Sequence, residues 1–378
     1  MQDRRWIRQY KVEIINPSQS LGQVVGGKYN LLSNNFTQFK TRVISSVGVE
    51  EPLNVSFNIE AGSGSGLMSL SIFNLSETTI SDIMVKDSFI KLSVGYGFET
   101  PEEDLSQLFY GKITHATTHY GSDGRKTAIK ASAGDILNFL PIAVKSQEDT
   151  RWIARIIWFL DIINEYSGNN IAVEDAKDQL SSIARLEEEG SNGVYLFDEI
   201  KGTETLVGNA GYLLSKYLRP HRISWTTVDD KLILTRRGFV DDKFTAKVLT
   251  LGEELLTIPK RSVDDDNQVS TKDPVDFTHT ILIDPTIKPG SSIQTNVLID
   301  EQGRQIEQEI IQSVQKIKIT GDYESNNWYM KLSCTEDKRF STGSKTIEQK
   351  ATELQSGILG DFGSTGGAFR GVGATVGF

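Results

Sequence analysis

The sequence predicts a mainly β protein of the α+β class: two small antiparallel β-barrels in tandem, a helical insert between them, and a glycine-rich C-terminal tail. Three observations carry this. Alternating apolar and polar residues, the period of a half-buried strand, fill the first third of the chain and return after Pro220. From Pro141 to Pro220 the apolar spacing is instead helical. Beyond residue 345 the chain turns polar and then dense in glycine, which opposes helix and leaves a flexible backbone. The expected divisions are 1–140 for the first barrel, 141–220 for the insert, 221–345 for the second barrel and 346–378 for the tail.

In the first region, residues 6–15 read as a strand with Tyr10, Val12 and Ile14 alternating, ended by Asn16-Pro17-Ser18. Residues 18–40 form a long polar excursion, and loops of that length usually serve function or a partner. Residues 53–59 are a second strand with Val55, Phe57 and Ile59 on one face. The run Gly62-Ser-Gly-Ser-Gly66 reads as a hairpin connection rather than a phosphate cradle. No Lys-Ser/Thr follows at P-loop spacing, and a strand rather than a helix comes next. Residues 69–134 carry the densest pattern. There Ile90, Leu92, Val94 and Tyr96 alternate with Lys91, Ser93 and Gly95, and Ser122-Asp123-Gly124 marks a hairpin between two alternating runs.

The insert predicts three helices. Residues 151–166 are apolar around most of the circumference, interrupted by Arg155 and Asp161, so this helix is buried or covered. Residues 175–189 form a more polar helix capped by Gly190, with Glu187 to Glu189 on a solvated face. The third takes Thr203 as N-cap, Glu204 in its first turn, and a stripe of Leu206, Val207, Ala210, Leu213, Leu214 and Tyr217. Pro220 stops it.

The period of two then resumes. Residues 223–228 and 231–236 flank Asp229-Asp230 as a hairpin, with further strands near 247–251, 278–283, 293–298, 311–320 and 328–333. Residues 112–131 and 315–334 share one plan, strand, polar turn, strand, and each closes its β region. Two related units in tandem are therefore expected.

Composition narrows the function. A net charge of −10 argues against a main role in binding nucleic acid. Cys334 is the sole cysteine, which excludes an intramolecular disulfide, and with four histidines a Cys/His zinc cluster is not expected. The N-terminus lacks the apolar core of a signal peptide, and no run reaches the roughly 20 apolar residues of a membrane span. A soluble protein made in the cytoplasm is expected. Neither G-x-S-x-G nor H-E-x-x-H occurs. Asp264 to Asp266 lack the ligand spacing of a calcium loop, and His115 and His119, four apart on a strand, have no carboxylate or cysteine beside them. No catalytic residue, cofactor or metal is expected. In the tail, Phe362, Phe369, Val372, Val376 and Phe378 are spaced apolar anchors, the candidate partner-binding residues.

The order of short motifs resembles a known family. Ile72-Phe-Asn-Leu-Ser76, then Val94-Gly-Tyr96, then Leu108-Phe-Tyr-Gly-Lys-Ile113 and the Asp123-Gly124 hairpin resemble the first barrel of phage tail baseplate hub proteins. These are the gp27-like hubs of contractile tails, related to the hub part of type VI secretion spikes. Further on, the helix-to-Trp225 step, the run from Ile281 to Pro289-Gly290, and Gly321-Asp322 followed by Trp328 are similar to hub segments. Asp284 stands where that family's pattern has Asn. The resemblance covers roughly residues 6–335 and implies tube-like barrels and a structural, non-enzymatic role. It implies a homotrimeric ring that joins a sixfold tail tube to a threefold central spike and forms part of the channel for DNA passage. The implied partners are the spike protein, the tail tube or tape-measure protein and other baseplate proteins, without specific nucleic-acid binding. The implied location is the virion tail baseplate of a contractile injection system, assembled in the host cytoplasm. Net charge further suggests an acidic lumen. Two other classes remain open: a tail-tip wall hydrolase, and a carbohydrate- or receptor-binding β module using Trp225, Trp328 or Tyr329 as platforms.

Overall fold

The computed structural model describes residues 8–17, 39–62, 64–97, 101–122, 124–133, 136–146, 150–168, 171–187, 195–228, 231–239, 246–257, 260–261, 276–301, 304–325 and 327–336. The first region holds β1 (Arg8–Pro17), β2 (Phe39–Ser45), β3 (Val55–Ala61), β4 (Gly64–Phe73), α1 (Glu77–Ile83), β5 (Phe89–Tyr96), β6 (Ser106–Gly121) and β7 (Gly124–Ala133). Next come α2 (Ile136–Phe139), β8 (Pro141–Lys145), β9 (Thr150–Arg151), α3 (Trp152–Tyr166), α4 (Glu174–Glu187), β10 (Glu199–Ile200), β11 (Thr205–Asn209) and α5 (Ala210–Leu218). The remainder is β12 (Ile223–Val228), β13 (Lys231–Arg236), β14 (Lys247–Leu249), β15 (Lys260–Arg261), β16 (Asp276–Ile281), β17 (Ser292–Glu301), β18 (Arg304–Asp322) and β19 (Trp328–Glu336).

The fold is mainly β with interspersed helices, as the alternation predicts. Its main sheet runs β15-β16-β19-β18-β3-β4-β7-β6-β5-β1-β2, and no closed barrel is found among the described strands. One apolar core lies under this sheet and draws on both β regions, from Tyr10, Phe57, Leu70 and Leu92 to Ile281, Ile319, Met330 and Leu332. Alternation places these residues inward: Val55, Phe57 and Ile59 on β3 are buried while Asn58 and Glu60 are exposed. A second core joins the helices to the β12–β13 hairpin through Phe159, Leu160, Leu214, Trp225, Leu232 and Leu234.

The local expectations hold where local chemistry decides. The β12–β13 hairpin pairs Val228 with Lys231 across Asp229-Asp230, and β6 turns into β7 with Gly121 opposite Gly124. The Gly62 to Gly66 run connects β3 to β4 as a hairpin, with Gly62 at φ +134° and Gly64 at φ +73°. The buried-helix reading of α3 holds, with Ile156, Phe159, Leu160 and Ile163 fully covered.

Two helices differ. Between β4 and β5, within the stretch read from its alternation as strands, lies α1, started by Ser76, whose hydroxyl accepts from the Thr79 N–H at 3.2 Å, with Glu77 in the first turn. The third insert helix does not begin at Thr203. Residues Thr205–Asn209 are a strand paired with β8, and the helix starts at Ala210, capped by Asn209, whose Oδ1 accepts from the Tyr212 N–H at 2.9 Å. The reason is local: Thr205 and Val207 are β-branched, and Gly208 sits at φ +154°, outside helical space. Val207 thereby leaves the apolar stripe and is 72% exposed. Glu204 still meets this helix, as an ion pair with Lys216.

Candidate assembly interface

The strand order holds a repeat. Strands β3-β4-β7-β6-β5 and strands β15-β16-β19-β18-β17 follow the same succession, with every neighbouring pair antiparallel. Register repeats as well. Met68 lies opposite Ala131 as Phe277 lies opposite Cys334, and Leu70 opposite Ile129 as His279 opposite Leu332. Ile90 faces Gly111 as Ile293 faces Gln312, and Ile59 faces Met68 as Arg261 faces Phe277. Each long hairpin also carries a register shift at the matching place: Thr114 is the extra residue between Ile113 and His115, and Gln315 between Val314 and Lys316. A bulge adds twist and re-aims the strand beyond it.

Beyond its bulge, β18 leaves β17, whose last partner is Ser313, and takes β3 along the same edge. Ile317 pairs with Ala61, Ile319 with Ile59 and Gly321 with Phe57, so the second repeat joins the first edge to edge. This junction is close. A Cβ built on Gly321 would lie 2.2 Å from Phe57 Cζ, and one on Gly62 would lie 2.4 Å from the Gln315 carbonyl oxygen. Trp328 meets Phe57 edge-on at 5.3 Å, and the Arg8 guanidinium lies 5.7 Å from the Trp328 ring centre. Arg8 also donates to the carbonyls of Asp322, at 3.3 Å, and Ser325. The Ile283 N–H donates to the Tyr96 hydroxyl at 2.9 Å, and burial pushes that hydroxyl's pKa up to about 12, so it stays protonated. On the solvent side, the Thr320 hydroxyl donates to Asn58 Oδ1 at 3.0 Å.

Among the described residues the first repeat has no such partner. Strand β6 pairs with β5 as far as Lys112 and, beyond Thr114, keeps only β7 among the described residues. The edge from Ala116 to Gly121 is therefore open, with Tyr120 at its end 73% exposed. Beside its start lies a notch lined by Met84, Val85, Lys112, Ile113, Thr114 and Ala116. On β18 the matching place is covered by Ala61 and Gly62. At the other end of the sheet, β15 pairs with β16 on one side only among the described residues.

The sequence-predicted residues are distributed as follows. His115 and His119 are exposed on the open strand, opposite Lys130 and Lys126, a poor setting for a metal cation. Among the described residues no group of three or more His, Cys, Asp or Glu side chains could hold an ion. Trp225 and Trp328 are buried and Tyr329 is half-buried under Lys331, so the two tryptophans form no exposed platform. Cys334 is buried, and burial raises its thiol pKa, which leaves it unreactive. Asp264 to Asp266, Gly190, almost all of 18–40, and the tail anchors Phe362, Phe369, Val372, Val376 and Phe378 lie outside the described residues. No described helix is long and apolar enough to cross a membrane. The open edge itself was not singled out by the sequence. Its signal was the shared plan of residues 112–131 and 315–334, which marks the two hairpins but not what each one pairs with.

No family model matches the chain, and no curated protein matches it either. Solved structures do. The 43 kDa tail protein of prophage MuSo2 from Shewanella oneidensis is 10% identical at a TM-score of 0.45, over 80% of this chain and 95% of that one. The chain resembles phage tail proteins. A tail protein from Neisseria meningitidis is 10% identical at a TM-score of 0.43, over 88% of this chain and 98% of its own. An E. coli component of the type VI secretion system, described as similar to the T4 tail proteins gp27 and gp5, is 8% identical at a TM-score of 0.44, over 76% of this chain and 75% of its own. Likeness at this level transfers no activity, partner or assembly.

Proposed function

We propose that this chain is a structural hub subunit of a phage tail baseplate, of the contractile type. Three copies form a ring that joins a sixfold tail tube to a threefold central spike and contributes to the channel for DNA. One observation carries the reading: each chain holds two five-strand units of the same order and register, joined edge to edge. Three chains then supply six quasi-equivalent units, which is what a threefold-to-sixfold adaptor requires. The hub-like motifs from Ile72 to Gly124 and from Gly211 to Trp328 lie on these units and on the helix between them. In this reading the two units curve into tube-like barrels within the ring, the role is structural rather than enzymatic, and the tail anchors dock on spike, tube, tape-measure or neighbouring baseplate proteins. The protein resides in the virion baseplate after assembly in the host cytoplasm.

The solvent face shared by both units bears on the channel. Along it, Lys126, Lys130, Lys318 and Lys331 stand among Ser69, Asn58, Thr320 and Ser333, with Glu60 paired to Lys318 at 2.8 Å. If this face lines the channel, its wall is neutral to basic, so the acidic lumen suggested by net charge is not part of the proposal.

Light scattering on the purified full chain tests the ring. A mass of three times 42.0 kDa is expected. A monomer at high concentration, both alone and with the cognate spike protein, would overturn the reading. Trimer loss on removing residues 346–378 would place the tail in assembly, and trimer retention would assign it to another partner.

A further inference from the structure

The solvent face shared by the two units carries more cations than acids. Lys126 and Lys130 stand on it from β7, Lys316 and Lys318 from β18, and Lys331 from β19, all of them exposed. Register puts them on one face. Lys331 lies opposite Lys318, and Ser333 opposite Lys316. Lys130 joins the same face through Ser69, Asn58 and Thr320, which lie opposite one another strand by strand. Glu60, the carboxylate within this group, is taken up by Lys318 at 2.8 Å. At the margins, Asp276 is held by Arg237 at 2.8 Å, and Asp322 accepts from the amides of Glu324 and Ser325. On a chain of net charge −10, this face is locally positive.

We propose that this face binds duplex DNA through its phosphate backbone, independently of base sequence. The proposal rests on the channel reading above for where the DNA runs, and names the groups that touch it.

The lysines are spaced and held for that contact. The Lys331 ammonium lies 5.5 Å from the centre of the Tyr329 ring, and that of Lys126 lies 5.5 Å from the centre of the Phe73 ring. A cation is attracted to the negative face of a ring, which keeps these two over the sheet. From β18 through β3 and β4 to β7 is three strand steps, about 14 Å, and Lys126 to Lys130 along β7 is about 13 Å. Duplex DNA carries one charge per about 1.7 Å of its axis, so cations at this spacing meet phosphates at any setting along the duplex. A sheet face with Asn58, Ser69 and Thr320 between its lysines lies against the backbone rather than in a groove, so it reads no sequence. An acidic protein fits less well. Protein interfaces centre on aromatic and apolar anchors and are poor in lysine. Here Tyr329 and Phe73 lie under lysines, and Leu67, though exposed on this face, is one side chain and makes no desolvated centre.

Fluorescence anisotropy on the full-length protein tests the contact, with a short linear duplex of mixed sequence whose ends can enter a closed ring. Affinity should fall as salt rises, with a log–log slope of about −4, one phosphate for each lysine not taken up by Glu60. Lys126→Gln with Lys130→Gln, and separately Lys316→Gln with Lys331→Gln, should each reduce that slope by about 2 while leaving the Lys318–Glu60 pair in place. Lys145→Gln with Lys201→Gln, exposed among the helices, should leave it unchanged. Circular dichroism checks folding, and because the two lysine pairs lie on different units, misfolding of one variant leaves the other as the test. Light scattering on the same samples separates the two levels of the argument. A trimer that binds no duplex at low salt, or whose slope neither lysine pair moves, overturns the DNA contact and leaves the ring intact. A monomer whose slope both pairs lower upholds the contact and overturns the ring. Poly-glutamate bound as tightly as the duplex would assign the face to an acidic protein and overturn the proposal.

Discussion

Gly321 is the residue on which Phe57 rests. The ring lies so close that a methyl group at 321 would overlap it, at 2.2 Å from Cζ, and Phe57 in turn meets Trp328 edge-on. Gly321→Ala should therefore force the Phe57–Trp328 pair off its rotamers and destabilise the chain by about 1–3 kcal/mol, the usual effect of overpacking. The urea midpoint checks this, and an unchanged midpoint would show that Phe57 relaxes freely. His279 is a second residue with a measurable signature. It is fully buried; its Nε2 lies 2.6 Å from Gln312 Oε1, Gln312 reaches Thr295 at 3.3 Å, and Nδ1 has no partner among the described residues. The matching positions in the first repeat are Leu70, Gly111 and Leu92, so a polar layer replaces an apolar one. Burial holds the His279 pKa below 6.5, with the Gln312 hydrogen bond opposing. The unfolded chain then takes up the proton first, so the stability this residue contributes is complete above the ordinary histidine pKa and lost as pH falls below it. Tm should drop between about pH 8 and about pH 5, and His279→Leu should flatten that slope. An equal slope in the variant would assign the pH dependence to other groups.

At the scale of the element, capping and bulges decide boundaries. Asn209 rather than Thr203 starts α5, because Gly208 leaves helical space and the Asn209 side chain satisfies the Tyr212 N–H. Asn209→Ala should cost about 1 kcal/mol, read as a lower denaturant midpoint, whereas Thr203→Ala should change nothing measurable. The opposite ranking would restore Thr203 as the cap. The bulges at Thr114 and Gln315 each end a pairing with the preceding neighbour, β5 and β17 respectively, and beyond Gln315 β18 takes β3 instead. The edge strand β2 is held differently. Asp82 at the end of α1 accepts from Lys40 at 2.7 Å and Arg42 at 2.6 Å, and these bonds keep its carboxyl below the usual range. A short helix thus tethers the strand that ends the sheet.

At the scale of the whole molecule, two units of the same strand order are joined edge to edge within one chain. Core residues from both units pack as one body, so the two cannot turn independently of each other without breaking the Ile317 to Asp322 pairing. The angle between the two units is therefore set by the fold. A proline placed in the β6 edge, Thr118→Pro, should leave the melting behaviour close to that of the parent, because no described strand other than β7 pairs there. Loss of folding in that variant, seen by circular dichroism, would mean the edge is needed within the chain.

Features under local control are legible in the amino-acid order alone. Alternation with two-residue turns wrote the hairpins at Val228–Lys231 and Gly121–Gly124, and the apolar circumference of residues 152–166 wrote a buried helix. Even the echo between the two long hairpins was legible, because turn residues and period recur together. The packing of β18 against β3, more than 250 residues apart in the chain, emerged from the folded arrangement. Backbone pairing carries no side-chain signature across such a separation, since any strand edge offers the same donors and acceptors. The folded arrangement likewise decided that His279 is a core residue and that β6 beyond Thr114 keeps β7 alone among the described residues. Alternation assigns a residue to one face of a strand, but what covers that face or edge depends on every other strand's place.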